Sequence, residues 1–265
     1  AYVTGVSKFR GPLLSTQMTL NLKTEPGTKL FLPIEEETGY TQQSFIHFVN
    51  TESDETVTVS NETDDDFSLD MNFQLTDAAE VQLIFDKQLG DVIKANGNGN
   101  IRMVLSPGGD FEMFGDYIIE SGNYLFTAFD LINKRFKVKQ GSKVSWVGDP
   151  YDALIDIMAY YELKANAYML VSALENVSSD QLTSTTVPVE ARASLKGSLL
   201  RPEIKLSFQL IDNGVADVSL IKRELNALNL SQEEIDKQVV SLLVLNRFMP
   251  VYTGGGNAAG NAFSS

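Results

Sequence analysis

The sequence predicts a mainly β protein: a long, curled antiparallel β-meander with one apolar face, followed by two short C-terminal helices. Three observations predict it. Apolar and polar residues alternate with period two through most of the chain up to Leu210, the mark of strands with one dry and one wet face. The segments between them are rich in Gly, Asn and Pro, which supply the φ angles of tight turns. Beyond Leu210 the apolar period lengthens to that of helices.

Taken in order, "MTLNLK" points Met18, Leu20 and Leu22 one way and Thr19, Asn21 and Lys23 the other. "FSLDMNFQL" alternates Phe67, Leu69, Met71, Phe73 and Leu75 with Ser68, Asp70, Asn72 and Gln74. The pattern returns at Val81, Leu83 and Phe85, and again at Ile101, Met103 and Leu105. "RFKVK" sets Phe136 and Val138 against three cations. In "DALIDIMAYY", Ala153, Ile155, Ile157, Ala159 and Tyr161 share an apolar face, opposite Asp152, Leu154, Asp156, Met158 and Tyr160. Val187, Val189, Ala191, Ala193 and Leu195 form one side of "VPVEARASLKG"; Ile204, Leu206, Phe208 and Leu210 form one side of "EIKLSFQL".

The expected turns are "EPGT", "ANGNGN", "SPGGD", "ESGN", "GDP" and "LLRPE". Short links favour antiparallel neighbours, because a parallel pair needs a crossover of about a dozen residues or more. Ten or eleven strands at about 4.8 Å spacing make a sheet roughly 50 Å long. Open, strongly twisted sheets of that size curl or split.

Two stretches depart from the pattern. Residues 35–66 form a polar, acidic excursion that begins with Glu35, Glu36 and Glu37 and contains "SFIHFVN" as a short candidate strand. After Leu210, "DVSLIKRELNALNL" fits one helix and "SQEEIDKQVVSLLVLNRF" another, with Ser231 and Glu234 in capping-box spacing. The second is apolar nearly all round from Val239 to Leu245, so it must be buried in its own fold or in a partner. The chain therefore divides into a β segment over 1–94 that carries the acidic loop 35–66, a β core over 95–211, a helical segment over 212–250 and a flexible tail over 251–265.

A net charge of -14 speaks against nucleic acid and against broad adhesion to anionic membrane, both of which need a cationic face. With no cysteine there is neither a disulfide nor a thiolate metal site, and the single histidine, His47, excludes a zinc site built on several imidazoles. No metal or cofactor is expected. No apolar run approaches the ~20 residues of a membrane-spanning helix. The chain opens at Ala1 without an initiator methionine and closes on "GGGNAAGNAFSS", so it is expected to be a piece of something longer.

Candidates for chemistry are few. Asp152 and Asp156 invite an acid/base reading, but four residues of strand separate their Cα atoms by about 13 Å. Glycosidase carboxylates lie roughly 5–9.5 Å apart, no histidine accompanies the pair, and no serine sits in a GxSxG elbow. No catalytic residue is assigned and no enzyme is expected. Gly97 and Gly99 in "GNGN" lie between strands instead of opening a helix, which favours a hairpin turn over a phosphate loop. Asp64 to Asp66 lack the residue order of a calcium loop. The basic run Lys134, Arg135, Lys137, Lys139 and Lys143 either meets head groups or an acidic partner, or is a charged outer face that blocks edge pairing. Trp146 is either a core residue or an interface anchor.

A set of motifs joins the centre of the chain. Gly115, Tyr117, Ile119, Gly122, Tyr124 and Phe126 stand in the spacing G-x-Y-x-I-x-x-G-x-Y-x-F; Phe136, Val138, Gly141 and Ser142 follow in a basic strand; Val144, Trp146, Gly148, Asp149 and Pro150 make a V-x-W-x-G-D-P turn. This set resembles the C-terminal domain of the TamB family, also known as DUF490, in which the first motif is taken as a hairpin. "VPVEARASLKGSLLRPEIKLSFQL" and the helical segment after it are similar to the same domain, so that the resemblance covers roughly residues 95–250, and "LLVLNRFMP" is similar to Bacteroidetes members.

The resemblance implies an envelope protein anchored in the inner membrane by a part outside this segment and crossing the periplasm. Its sheet curls into an open groove (a β-taco) with an apolar lining, and its outer-membrane-proximal end meets an Omp85-type barrel of the TamA or BamA kind. It further implies outer-membrane biogenesis, protein secretion through a translocation and assembly module, and phospholipid transport between membranes. Phe67, Met71, Phe73, Phe136, Ile155, Ile157, Leu206 and Phe208 are the groove candidates for shielding acyl chains. Val239, Leu242, Leu243 and Leu245 are the candidates for partner docking. The alternative is an assembly or docking module that conducts no lipid. Strands that the family carries after the helices are not in this sequence.

Overall fold

The structure, a computed structural model, describes residues 1–12, 16–33, 67–86, 91–128, 132–171, 186–212, 221–222, 225–226 and 230–250. The loop 35–66 with "SFIHFVN" and His47, and the tail 251–265, lie outside the described residues.

The protein is mainly β, with twelve strands in one mixed sheet and one C-terminal helix. The strands are β1 Val3–Arg10, β2 Gln17–Thr24, β3 Lys29–Pro33, β4 Ser68–Leu75, β5 Glu80–Asp86, β6 Asp91–Leu105, β7 Phe111–Ala128, β8 Ile132–Val138, β9 Lys143–Gly148, β10 Leu154–Asn166, β11 Thr186–Ser198 and β12 Glu203–Leu210. Their order is β1-β2-β4-β6-β7-β8-β10-β11-β12, with β3 beside β5, β5 also beside β6, and β9 beside β7 and β10. A four-residue helix α1, Tyr168–Val171, follows β10, and the C-terminal helix α2 is Gln232–Leu245. Two helices were expected there. Within 217–230 the described residues Ile221, Lys222, Leu225 and Asn226 are helical, and the remainder apart from Leu230 lies outside the described residues.

The sheet is not antiparallel throughout. β2 runs parallel to β4, with Leu20 opposite Met71, and β3 runs parallel to β5, with Leu32 opposite Leu83. The cause is that "EPGT" does not reverse the chain. It interrupts a strand that resumes as β3, just as the turn after Leu75 interrupts β4 before β5. The two interruptions are tied together: the Thr24 and Thr76 hydroxyls lie 3.0 Å apart, and the Glu80 amide donates to the Thr28 carbonyl at 2.9 Å. The long excursion after β3 supplies the crossover that a parallel pair requires. β6 then spans both broken strands, pairing with β4 along one half and β5 along the other.

Two more glycine-rich stretches fail to turn. "ANGNGN" and "ESGN" lie inside the 15-residue β6 and the 18-residue β7 and pair with each other, Ala95 opposite Gly122 and Gly97 opposite Ile119. Glycine is needed here for close approach: a Cβ on Gly97 would sit 2.2 Å from the Ile118 carbonyl oxygen. Register shifts between Asn96 and Gly97, leaving Glu120 unpaired as a β-bulge in β7. "SPGGD", by contrast, is a true hairpin, closed by the Ser106 amide on the Asp110 carbonyl at 2.9 Å.

The chain forms two compact units, one of Ala1–Leu125, Val138–Ile157 and Leu195–Glu203, the other of Phe126–Lys137, Met158–Ser194 and Ile204–Ser265. In the first, the buried side chains include Leu83, Ile93, Ile101, Tyr117, Ile119 and Leu195. In the second, Ala165, Ala167, Val187, Val189, Leu210, Ile221, Leu242 and Phe248 form one cluster.

Candidate functional site

In the first unit the strand registers stack apolar residues into rows that cross the sheet. One row is Phe9, Met18, Leu69, Leu105 and Phe111, since each is the register partner of the next. Phe9 is 66% exposed, Phe111 43%, and the three between them are half-buried. The next row is Leu20, Met71, Met103 and Met113, half-buried except for the buried Met113. In the third row, Leu22, Phe73 and Ile101, the last two are buried. Apolar surface is thus open at one end of the strands and closes within three rows.

The predicted groove residues divide accordingly. In the first unit, Phe67 and Met71 are half-buried, whereas Phe73, Ile155 and Ile157 are buried. In the second unit Phe136 is fully buried, 5.5 Å from the ring of Phe126, while Leu206 and Phe208 are half-buried. Phe208 meets Phe248 edge-on at 5.6 Å, and both belong to the packing of the cluster over which α2 lies. The protein's own atoms therefore occupy the apolar side at Phe136 and at Phe208.

Helix α2 is fixed to this cluster from its first turn. Ser231 caps it, accepting from the Glu234 amide at 3.3 Å, while the Glu234 carboxylate accepts from the Ser231 amide at 2.8 Å. The Ser231 amide, and after it the Ser231 hydroxyl, which donates to the same carboxylate at 2.8 Å, hold the Glu234 carboxyl below its ordinary pKa. Gln232 reaches the Leu206 carbonyl at 2.9 Å, and Gln238 both donates to and accepts from the backbone of Met249. Of the predicted docking residues, Val239, Leu242 and Leu243 are fully buried, and Leu245 is 52% exposed beside the exposed Val244.

The motif residues have clear structural duties. Trp146, 5% exposed, lies opposite Gly115, where a Cβ would sit 2.1 Å from the Asn100 carbonyl oxygen. Tyr117 and Tyr124 are buried in the first unit, and the Tyr117 hydroxyl donates to the Ala95 carbonyl at 3.2 Å. Burial pushes the Tyr117 pKa up, so it stays a neutral donor. Gly122 faces Ala95 across the ladder. Gly148 has a φ of 145°, and Asp149 accepts from the Tyr151 amide at 2.8 Å, starting a 3-10 turn with Pro150 in its first position.

That turn removes Asp152 from the strand in which it was expected. Asp156 remains on the wet side of β10, where it accepts from Lys196 at 3.2 Å. The basic run is also engaged: Lys143 lies 3.7 Å from Asp116 in the first unit, and Lys137 lies 3.2 Å from Glu162 in the second. Lys134 is different. It alternates with the buried Ile132, Phe136 and Val138, which puts it on the apolar side of β8. Its ammonium lies 5.7 Å from the centre of the Tyr161 ring. Sequence reasoning grouped it with the outward cations, although its even spacing from Phe136 was the signal. Phe9, Phe111 and Met113 were missed because register, which no alternation reveals, brings them into the rows.

A family model described as the TamB C-terminal domain matches residues 1–265. No curated protein matches the chain. Among the described residues, no helix is long and apolar enough to cross a membrane.

Proposed function

Since the chain belongs to the TamB family, we propose that it shields phospholipid acyl chains along the apolar side of its strands, as one step of inter-membrane transport, and docks on an Omp85-type outer-membrane barrel. The family is a transport and assembly module of the cell envelope that serves outer-membrane assembly, with Omp85 proteins as its general kind of partner. The lipid step is our reading, and the open rows of the first unit carry it.

Met18, Leu20, Leu69, Met71, Met103 and Leu105 present hydrocarbon and thioether surface that is only half-buried. Thioethers adapt to many shapes, which suits a succession of different acyl chains. Each CH₂ removed from water contributes about 0.8 kcal/mol, so ~14 carbons gain on the order of 10 kcal/mol. Because neighbouring strands offer similar surface, a chain can slide without meeting one deep trap. Phe73, Ile155 and Ile157 are buried, so the half-buried residues are the ones a lipid would meet, and no side-chain chemistry is required.

Photocrosslinkers at Met71 and at Asn72 test this in the intact protein in cells. Lipid adducts at Met71 with none at Asn72 are expected; equal labelling would end the lipid reading. The second reading, an assembly or docking module without conduction, is favoured by the covered apolar side at Phe208 and Phe136. For it the exposed end of α2 is the contact: a crosslinker at Leu245 captures the Omp85 partner, whereas one at Leu242 captures only the chain itself.

A further inference from the structure

Lys134 is the one charged residue on the apolar side of the second unit's described strands. On the other side of the same strand, Lys137 has Glu162. Lys134 has none among the described residues; its contact is the face of Tyr161, whose hydroxyl also lacks a hydrogen-bond partner among them. Both side chains are half-buried and so within reach of a ligand. On the same side, two residues along β10, Leu163 already packs against the cluster beneath α2. The ammonium thus stands beside the edge of the helix-covered stretch, over one aromatic ring.

The chemistry of the pair is one-sided. An ammonium only donates, and a phenol beside it has a donor to offer, so the complementary group is an anionic oxygen. Accessible hydrocarbon flanks it: the half-buried Tyr161 ring and, two residues along β10 on the same side, the half-buried Leu163. A ligand satisfying both features is an anionic amphiphile. With a net charge of -14, the chain repels such a molecule at long range, which makes an unpaired local cation the deciding contact.

We propose that the Lys134 ammonium and the Tyr161 hydroxyl form a headgroup site that holds the phosphodiester of a glycerophospholipid whose acyl chains lie on the apolar side of the strands. This rests on the acyl-shielding reading above and adds the feature by which a phospholipid is told from an uncharged lipid of equal apolar area.

The test offers the full chain equimolar dioleoylphosphatidylglycerol and dioleoylglycerol in micelles of an uncharged sugar detergent, re-isolates it and counts bound lipid by mass spectrometry. The unaltered protein is expected to enrich the phospholipid about tenfold, the discrimination of one charge-assisted hydrogen bond. K134M, which keeps the length and the apolar stem, is expected to bring the two lipids near parity at the same total, and K134R to retain the enrichment. Y161F is expected to lower it about threefold and reads the same site with a smaller change. Parity in the unaltered protein, or full enrichment in K134M or Y161F, would overturn the headgroup site and leave acyl shielding intact. If the unaltered protein takes up neither lipid, both ideas fall together.

Discussion

Arg102 and Asp70 show how the wet side of the sheet is held. The guanidinium donates to both carboxylate oxygens, from Nε at 3.0 Å and Nη2 at 2.9 Å. This bonding lowers the Asp70 pKa below its ordinary value. A depressed folded-state pKa means that the pair's stabilisation is present above the unfolded carboxyl's pKa and lost as pH falls through the lower folded one. Both side chains are roughly half exposed, so solvent screening keeps the pair's contribution small. D70N should therefore lower the urea midpoint slightly at neutral pH, and its difference from the parent should vanish in acid once the lowered Asp70 carboxyl is protonated in the folded state. A difference that persisted in acid would belong to something other than the ion pair. Gly97→Val tests a steeper constraint. The added Cβ meets a backbone oxygen that cannot yield without moving β7, so a loss on the order of 3 kcal/mol in denaturant unfolding is expected.

At the level of elements, alternation in the sequence identified most strands and their dry sides, because one face of each is buried against the rest of its own unit. Val187, Val189, Ala191, Ala193 and Leu195 are all buried as their spacing implies. Turns were less legible. Gly and Asn signal a permissive backbone, and that permissiveness serves a hairpin at Gly108 and Gly109 but mid-strand contact at Gly97. Nothing local separates the two uses, since the contact partner is far away in sequence. Helix α2 was legible at its start, from the Ser231–Glu234 pair; its end was not, since Asn246, whose φ of 52° closes it in the left-handed conformation, lies inside the stretch read as helix. S231A should cost about 1 kcal/mol. L242A, which empties a fully buried position in the cluster, should cost about 2–5 kcal/mol, and parity between the two in urea melts would contradict the packing described for α2.

For the molecule as a whole, the motifs from Gly115 to Pro150 pointed to the family that the full-length match establishes. They did so as an ensemble of backbone requirements, not as a set of reactive groups. The candidate site was only half legible. Residues two apart in sequence could be assigned a side, but accessibility depends on which element lies over them. Thus Met71 and Phe208 looked alike, yet the one belongs to an open row and the other packs beneath a helical cover. The Phe9-to-Phe111 row needed five strands in register, and register follows from hydrogen bonding between distant segments.

The unpaired residue Glu120 of β7 carries a constraint on how such a chain can change. Before it, Tyr117 and Ile119 look inward from odd positions; after it, Tyr124 and Phe126 look inward from even ones. The three-residue step between Ile119 and Gly122 in the motif is that change of phase written out. Deleting Glu120 alone would therefore flatten the bulge and leave Ile119 and Gly122 two residues apart, with Tyr124 and Phe126 still inward, whereas deleting Ser121 and Glu120 together would turn the second half of β7 inside out. At this point of the strand a one-residue change of length is thus absorbed by the bulge, while beyond it only even changes keep the same side chains inward.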